Sequence, residues 1–386
     1  MKPHRFLAFL VVLILTLCPA RARGQEAAPF PPMEYVELGG EPGPHLRLSR
    51  LILGTDHLGN MPDRQTREIL DEAVRLGINA FDTAPIYTDS IEIRLGAWLA
   101  SRDSSGLHVI TKGGFPRDIG PGTYSSRLKG QKAQIAANVL WELQKSRAKF
   151  DRPIAVYLMH RDDADFRDYR RLDRPQTPVR TILEALADPL LRKHHGLLGV
   201  SNWETSRVEE AQRAAADSPE LPRPVCNSPY FSLLEMGPVT IHCGGVQVTH
   251  EQMIDPEFQR GVKLMTYSPL GGFSIFSRGW AAAKRHALEL KRGHDRYWGH
   301  VHDAIFHEAN ARRYERALEF TRTFNARNGT GYTTDQVANA YVLAHPRSDF
   351  LVIGPRSVEQ LHRTVRALEL SKRLTPADLD TLHGGR

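Results

Sequence analysis

Eight short β-rich runs alternate with helical patterns along the chain, and that alternation constrains the fold more than any other feature. The runs fall at 50–54, 79–82, 107–111, 154–159, 196–200, 224–227, 262–267 and 350–353. Between them, apolar spacing predicts helices over 64–76, 134–146, 179–187, 206–215 and 334–343. Eight strand-helix units are what a (β/α)8 TIM barrel requires. A doubly wound sheet is the competitor, but it would carry a glycine-rich GxGxxG turn after its first strand, and none follows Leu53.

Three segments lie outside the repeat. Two alternating runs around a Gly/Pro-rich turn, MEYVELGGEPGPHLRLSR, precede the first barrel strand and predict a β-hairpin plug for the bottom of the barrel. Long loops are expected after strands 6 and 7. The first, 232–260, holds a further β-like stretch at 245–248; the second, 271–333, holds basic, His-rich helical sequence over 280–324. Loops of this length after barrel strands carry function or cover the mouth.

The N-terminus reads separately. MKPHR, the apolar run FLAFLVVLILTLC and Ala20-Arg21-Ala22 are the three parts of a secretory signal peptide. The expected organisation is a signal peptide at 1–24 and one barrel at 25–386, with its core at about 34–380. The apolar run is shorter than the roughly 20 residues of a membrane span, so cleavage is favoured and no stable transmembrane segment remains. The expectation is an exported protein, periplasmic or secreted. The alternative is a membrane-tethered or lipid-anchored one, since Leu15-Thr16-Leu17-Cys18 is close to a lipobox, with Leu17 where a small residue is expected.

Lys2, Arg5, Arg21 and Arg23 lie in this leader, so more than half of the formal charge of +7 leaves with it. No basic run with interleaved aromatics is present, and nucleic-acid binding is not expected. The sequence has no CxxC, no HExxH and no zinc-like histidine spacing, so no metal site is expected. Cys226 and Cys243 remain after cleavage, and a disulfide between them is compatible with export.

Polar residues at the C-terminal ends of barrel strands are where such folds place chemistry. Asp82 and Tyr87 follow the second strand, Lys112 the third and His160 the fourth. Together they make a proton-transfer unit: an ammonium beside a phenol draws its pKa down from about 10, an aspartate orients the ammonium, and a histidine hydrogen-bonds a carbonyl. Singly, each has a plainer reading: a helix cap, a rim aromatic, a solvated charge and a partner for the backbone.

The set resembles that of the aldo-keto reductases. The matching motifs are Leu53-Gly54-Thr55, FDTAPIY at 81–87, SIEIRLG at 90–96, ITKGG at 110–114, LMHRDD at 158–163, LGVSNW at 198–203, YSPL at 267–270 and VIGPRS at 352–357, in family order. The resemblance implies an NAD(P)H-dependent oxidoreductase that interconverts aldehydes or ketones and alcohols. Tyr87 would be its general acid/base, Lys112 and Asp82 would tune it, and His160 would orient the carbonyl. It implies NADPH (NADP) as cofactor, with NADH possible, bound through Gly54 and Thr55. Ser201, Asn202 and Ser228 would hold the carboxamide, Tyr267 would stack on the ring, and Ser268 and Leu270 would lie near the pyrophosphate. Gly354, Arg356, Ser357 and Gln360 would hold the adenosine phosphate end.

Two positions depart from the family pattern: Ser228 stands where Gln is frequent, and Thr364 where Asn is frequent. The implied partner is a small-molecule carbonyl or sugar substrate, with Trp203, 273–276 and 280–324 as substrate-loop candidates or plain packing. Export and a reduced nicotinamide cofactor pull apart. The alternative function is therefore an exported barrel with a nucleotide- or carbohydrate-binding role and little turnover.

Overall fold

The computed structural model describes residues 29–39, 43–88, 90–120, 123–163, 176–237, 245–293 and 296–384. The expected signal peptide, 1–24, with Cys18, and also Cys243, lie outside the described residues. Among the described residues no helix is long and apolar enough to cross a membrane.

The chain opens with the expected hairpin. Strand β1 (Tyr35–Gly39) pairs antiparallel with β2 (His45–Ser49), from Tyr35 opposite Ser49 to Gly39 opposite His45. Gly39 adopts φ +104°, and a Cβ there would meet Pro44 O at 2.1 Å, so only glycine fits the turn.

Eight parallel strands then close into a barrel. In chain order they are β3 (Leu51–Gly54), β4 (Ala80–Asp82), β5 (His108–Gly113), β8 (Ile154–Met159), β9 (His195–Ser201), β10 (Cys226–Ser228), β11 (Lys263–Tyr267) and β12 (Phe350–Ile353). A second hairpin, β6 (Arg117–Gly120) with β7 (Thr123–Ser125), projects from the loop after β5.

The two-residue period of the strands separates two cores. Ile52 points into the barrel with Ile110, Val156, Met265 and Phe350, while its neighbours Leu51 and Leu53 face the helices. Leu38 and Leu48 of the hairpin join the inner core and are fully buried, which makes the hairpin a plug. Cys226 sits in the same inner core as a free thiol, its pKa pushed up by burial. Gly199 must lack a side chain there, since a Cβ would fall 2.4 Å from Cys226 Sγ.

The helices Asp63–Arg75, Lys132–Phe150, Val179–Leu186, Thr205–Asp217 and Thr334–Ala344 lie where apolar spacing places them. Ile91–Ala100 is a further helix that the spacing does not reveal, because IEIRLGAWLA is apolar on nearly every face.

Both long loops occur as expected. In the loop after β10, the 245–248 stretch forms one parallel bridge, Gln247 with Tyr230, framed by Tyr230 N to Val246 O at 2.9 Å and Val248 N to Tyr230 O at 3.0 Å. The loop after β11 folds into the helices Ile275–Arg278, Trp280–Arg292, Arg296–Ile305 and Glu308–Asn328. The first three give Ile275, Ala283, Ala287, Val301, Ala304 and Ile305 to a third core with Tyr230 and Leu234, against which Tyr267, Phe273 and Trp280 pack, while Glu308–Asn328 buries Ala317, Phe320 and Phe324 in the outer core. Trp203 is 1% exposed and belongs to the outer core, so of its two readings packing holds and the substrate-loop one does not.

Candidate active site

The ends of β4 and β5 place two side chains on one inward face. Asp82 pairs with Ile110, and Lys112 stands two residues further along β5, so the strand period aims both into the barrel mouth. Thr83 N still donates to Ile110 O at 2.8 Å, after which Ala84 and Pro85 turn the chain away from the sheet. Tyr87 N closes that turn on Ala84 O at 3.2 Å and returns the phenol toward the lysine.

The three groups form one buried cluster. Lys112 Nζ donates to Asp82 Oδ1 at 2.6 Å and Oδ2 at 2.5 Å, and to Thr83 O at 3.0 Å. It also reaches Tyr87 OH at 2.7 Å, while that hydroxyl donates to Asp82 Oδ1 at 3.1 Å. His160, the residue after β8, is fixed by its own N–H on Gly113 O at 2.7 Å. Its ring meets Tyr87 edge-on at 6.0 Å and Phe115 at 5.0 Å. The fold therefore brings Asp82, Tyr87, Lys112 and His160 together.

Burial sets the electrostatics. It raises the Asp82 pKa against the pull of Lys112, and lowers the Lys112 pKa against the pull of Asp82. His160 is held well below its usual value by burial, then by Arg161 and Lys112, so its ring is neutral. The Tyr87 pKa is raised well above the usual phenol value, first by burial and then by the Asp82 charge. This corrects the expectation that Lys112 draws it down. With Asp82 also on the hydroxyl, burial and the carboxylate outweigh the ammonium, and Tyr87 holds its proton.

The residues expected around a carboxamide also cluster, but they bond one another. Ser201 Oγ donates to Ser228 O at 2.9 Å, and Asn202 Nδ2 donates to Ser201 Oγ at 2.9 Å. Asn202 Oδ1 accepts from Tyr267 OH at 2.7 Å and from Val246 N at 3.0 Å. The loop after β10 thus closes onto this side of the mouth.

At the other end lies a cavity of about 310 Å³, lined by Leu270, Arg278, Arg356, Ser357, Gln360 and Arg363 among others. Ser357 caps the helix Val358–Ser371 through Gln360 N at 3.1 Å, and Gln360 Oε1 accepts from Arg356 N at 2.8 Å. Ser268 does not line this cavity; it takes φ +57° in the turn that leads to Leu270. Gly354 lies beside His57.

The sequence profile of the Aldo/keto reductase family matches residues 50–384, the whole barrel. The chain belongs to the aldo/keto reductase family. It is an oxidoreductase of a family that acts on small-molecule carbonyl substrates and generally uses nicotinamide cofactors. It is similar to the uncharacterized oxidoreductase YrpG of Bacillus subtilis (strain 168), 28% identical over 351 residues, which cover 88% of this chain and 92% of that protein.

The residues present fit the cofactor class of an aldo/keto reductase. Thr55 Oγ1 and Thr83 Oγ1, at the ends of adjacent strands, are buried without a hydrogen-bond partner. Gly54 leaves close packing beside them, since a Cβ would stand 3.1 Å from Ile353 O. Orphaned hydroxyls at the mouth, with Arg278 and Arg356 at the cavity, provide groups for a polar, phosphorylated ligand; Arg363 there is paired with Asp335, which also lines the cavity, and with Glu359.

Sequence reasoning passed over Asp56, His57 and Arg278. Asp56 acts electrostatically on Asp82, Tyr87 and Lys112, and Arg278 lines the cavity. Their position within three residues of Thr55, or in the loop after β11, was the available signal.

Proposed function

We propose that this aldo/keto reductase interconverts aldehydes or ketones and alcohols with NADPH, Tyr87 serving as general acid in the reductive direction. The carrying observation is the Tyr87 hydroxyl held between Lys112 Nζ at 2.7 Å and Asp82 Oδ1 at 3.1 Å. A reduced nicotinamide cofactor, when bound, would supply the hydride for the carbonyl carbon. Tyr87 gives its phenolic proton to the carbonyl oxygen, and the phenolate left behind is stabilised by the Lys112 ammonium. Asp82 keeps that ammonium aimed at the phenol, and neutral His160 donates a ring N–H to the same carbonyl oxygen.

Ser201, Asn202, Ser228 and Tyr267 would hold the nicotinamide end; Arg356, Ser357 and Gln360 would hold the phosphate end. The export signal at 1–24 points to action outside the cytoplasm. Mass spectrometry of protein taken from its own compartment reads cleavage and any cofactor carried along. The reaction itself is tested by mixing mature protein with NADPH and a panel of aldehydes, ketones and sugars. Loss of reduced-cofactor absorbance that disappears in Tyr87→Phe supports the assignment; turnover that survives the substitution sinks it.

A second reading is an exported barrel that holds nucleotide by its phosphate end with little turnover, because Asn202 Oδ1, already taken by Tyr267 OH and Val246 N, leaves the nicotinamide end unanchored. A tight NADPH complex without turnover on any carbonyl would select it.

A further inference from the structure

His57, two residues past Thr55, reaches from the end of β3 across to the segment after β12. A Cβ on Gly354 would lie 3.5 Å from His57 Cδ2, and Arg356 Nη2 stands 3.4 Å from both ring nitrogens. A distance that long to both nitrogens at once is not a directed hydrogen bond, so guanidinium and imidazole lie side by side. The Asp56 carboxylate is 3.6 Å from His57 Nδ1. Among the described residues Arg356 makes no ion pair, and it lines the 310 Å³ cavity with Ser357 and Gln360. A guanidinium without a counter-charge, beside an imidazole and two polar side chains, is a set that an oxyanion completes.

We propose that His57 and Arg356 form one clamp for a phosphoryl group of the cofactor, with His57 taking up a proton as the clamp fills. The proposal rests on the dinucleotide reading above. Without ligand, partial burial lowers the His57 pKa although its side chain is 41% exposed; Asp56 pulls it up and Arg356 pushes it down, with a net lowering. Those are the charged groups that face the ring: Asp56 from its own loop and Arg356 from the segment after β12. A phosphoryl group neutralises Arg356 and itself attracts a proton to the imidazole, so the bound state has the higher His57 pKa. Affinity therefore rises as pH falls through that range.

The test is the dissociation constant of NADPH and of NADH, read by quenching of intrinsic fluorescence between about pH 8 and about pH 6. Calorimetry in two buffers of different ionisation heat counts the protons taken up. In the unmodified protein, binding should tighten by about threefold to tenfold over that span. His57→Gln should lose this increment and the proton uptake, and His57→Lys should bind tightly at the alkaline end with little pH slope.

An increment seen only with NADPH places the 2′-phosphate in the clamp; one shared with NADH places the pyrophosphate there. Equal pH slopes and proton uptake in His57→Gln and the unmodified protein overturn the clamp and leave the cofactor reading standing. Absence of binding of either dinucleotide overturns that reading, and the clamp with it.

Discussion

Lys112–Asp82 and Arg207–Asp162 are both buried ion pairs close to the C-terminal ends of neighbouring barrel strands. Arg207, on the helix Thr205–Asp217, meets Asp162 through Nε at 2.6 Å and Nη2 at 2.7 Å, and Nη2 also donates to Thr177 O at 3.1 Å. That planar fork saturates both carboxylate oxygens and cannot give up its proton. It ties the loop after β8 to the helix after β9 and leaves nothing to react. The lysine pair has a third member, Tyr87, and burial pushes both of its charges toward neutrality. The same kind of contact is a clamp when made by arginine and a proton-handling unit when made by lysine beside a phenol.

The largest effect should come from the reactive pair. Tyr87→Phe or Lys112→Met should lower kcat/KM for carbonyl reduction by about 10²–10⁴-fold, measured by NADPH consumption. Tyr87→Phe should leave the melting temperature little changed, which separates chemistry from folding.

Arg207→Met should reverse the pattern. Leaving Asp162 buried and unpaired should cost about 3–5 kcal/mol in chemical denaturation, while kcat of the remaining folded protein stays within a small factor. A rate collapse in a folded Arg207→Met would break the contrast between the pairs.

Next in size is the pH response. A general acid works while protonated, and the raised Tyr87 pKa keeps the phenol so; the alkaline limb of reduction should therefore follow the Lys112 ammonium, whose pKa burial lowers, and fall below the ordinary lysine value of about 10.4. Asp82→Asn removes the charge that helps hold that proton, so the alkaline limb should move to lower pH. Arg207→Met should leave the limb where it is, and a shift there would again join the two pairs.

The smallest effect is expected at Tyr267. Tyr267→Phe deletes the 2.7 Å bond to Asn202 Oδ1, worth about 1 kcal/mol, and leaves that oxygen held by Val246 N alone. NADPH should then bind up to about fivefold tighter by fluorescence titration, and weaker binding would mean the phenol assists the cofactor instead.

Much of this was legible in the residues. The barrel strands are apolar runs whose inward and outward faces alternate, so the inner position of Ile52 and the outer ones of Leu51 and Leu53 are local facts. Pro85 shows from sequence alone that the chain leaves the sheet after Asp82, and the motif order shows which strand ends carry Lys112 and His160. The helix Ile91–Ala100 and the β6–β7 hairpin were not legible, one for lack of a polar face and the other for lack of a strong β pattern.

What the sequence by itself determined is the fold, the set of four residues and the family motifs, because strand period, turn chemistry and motif order act over short stretches of chain. Tertiary structure alone decided which way the phenol proton leans. That depends on the burial of Tyr87 and on distances to Asp82 and Lys112, two side chains brought to it from separate strands. It also decided that Asn202 is already engaged by Tyr267 and Val246, and that His57 lies against Arg356, nearly three hundred residues away in the chain. Desolvation and charge act through space, and only the folded chain sets those distances.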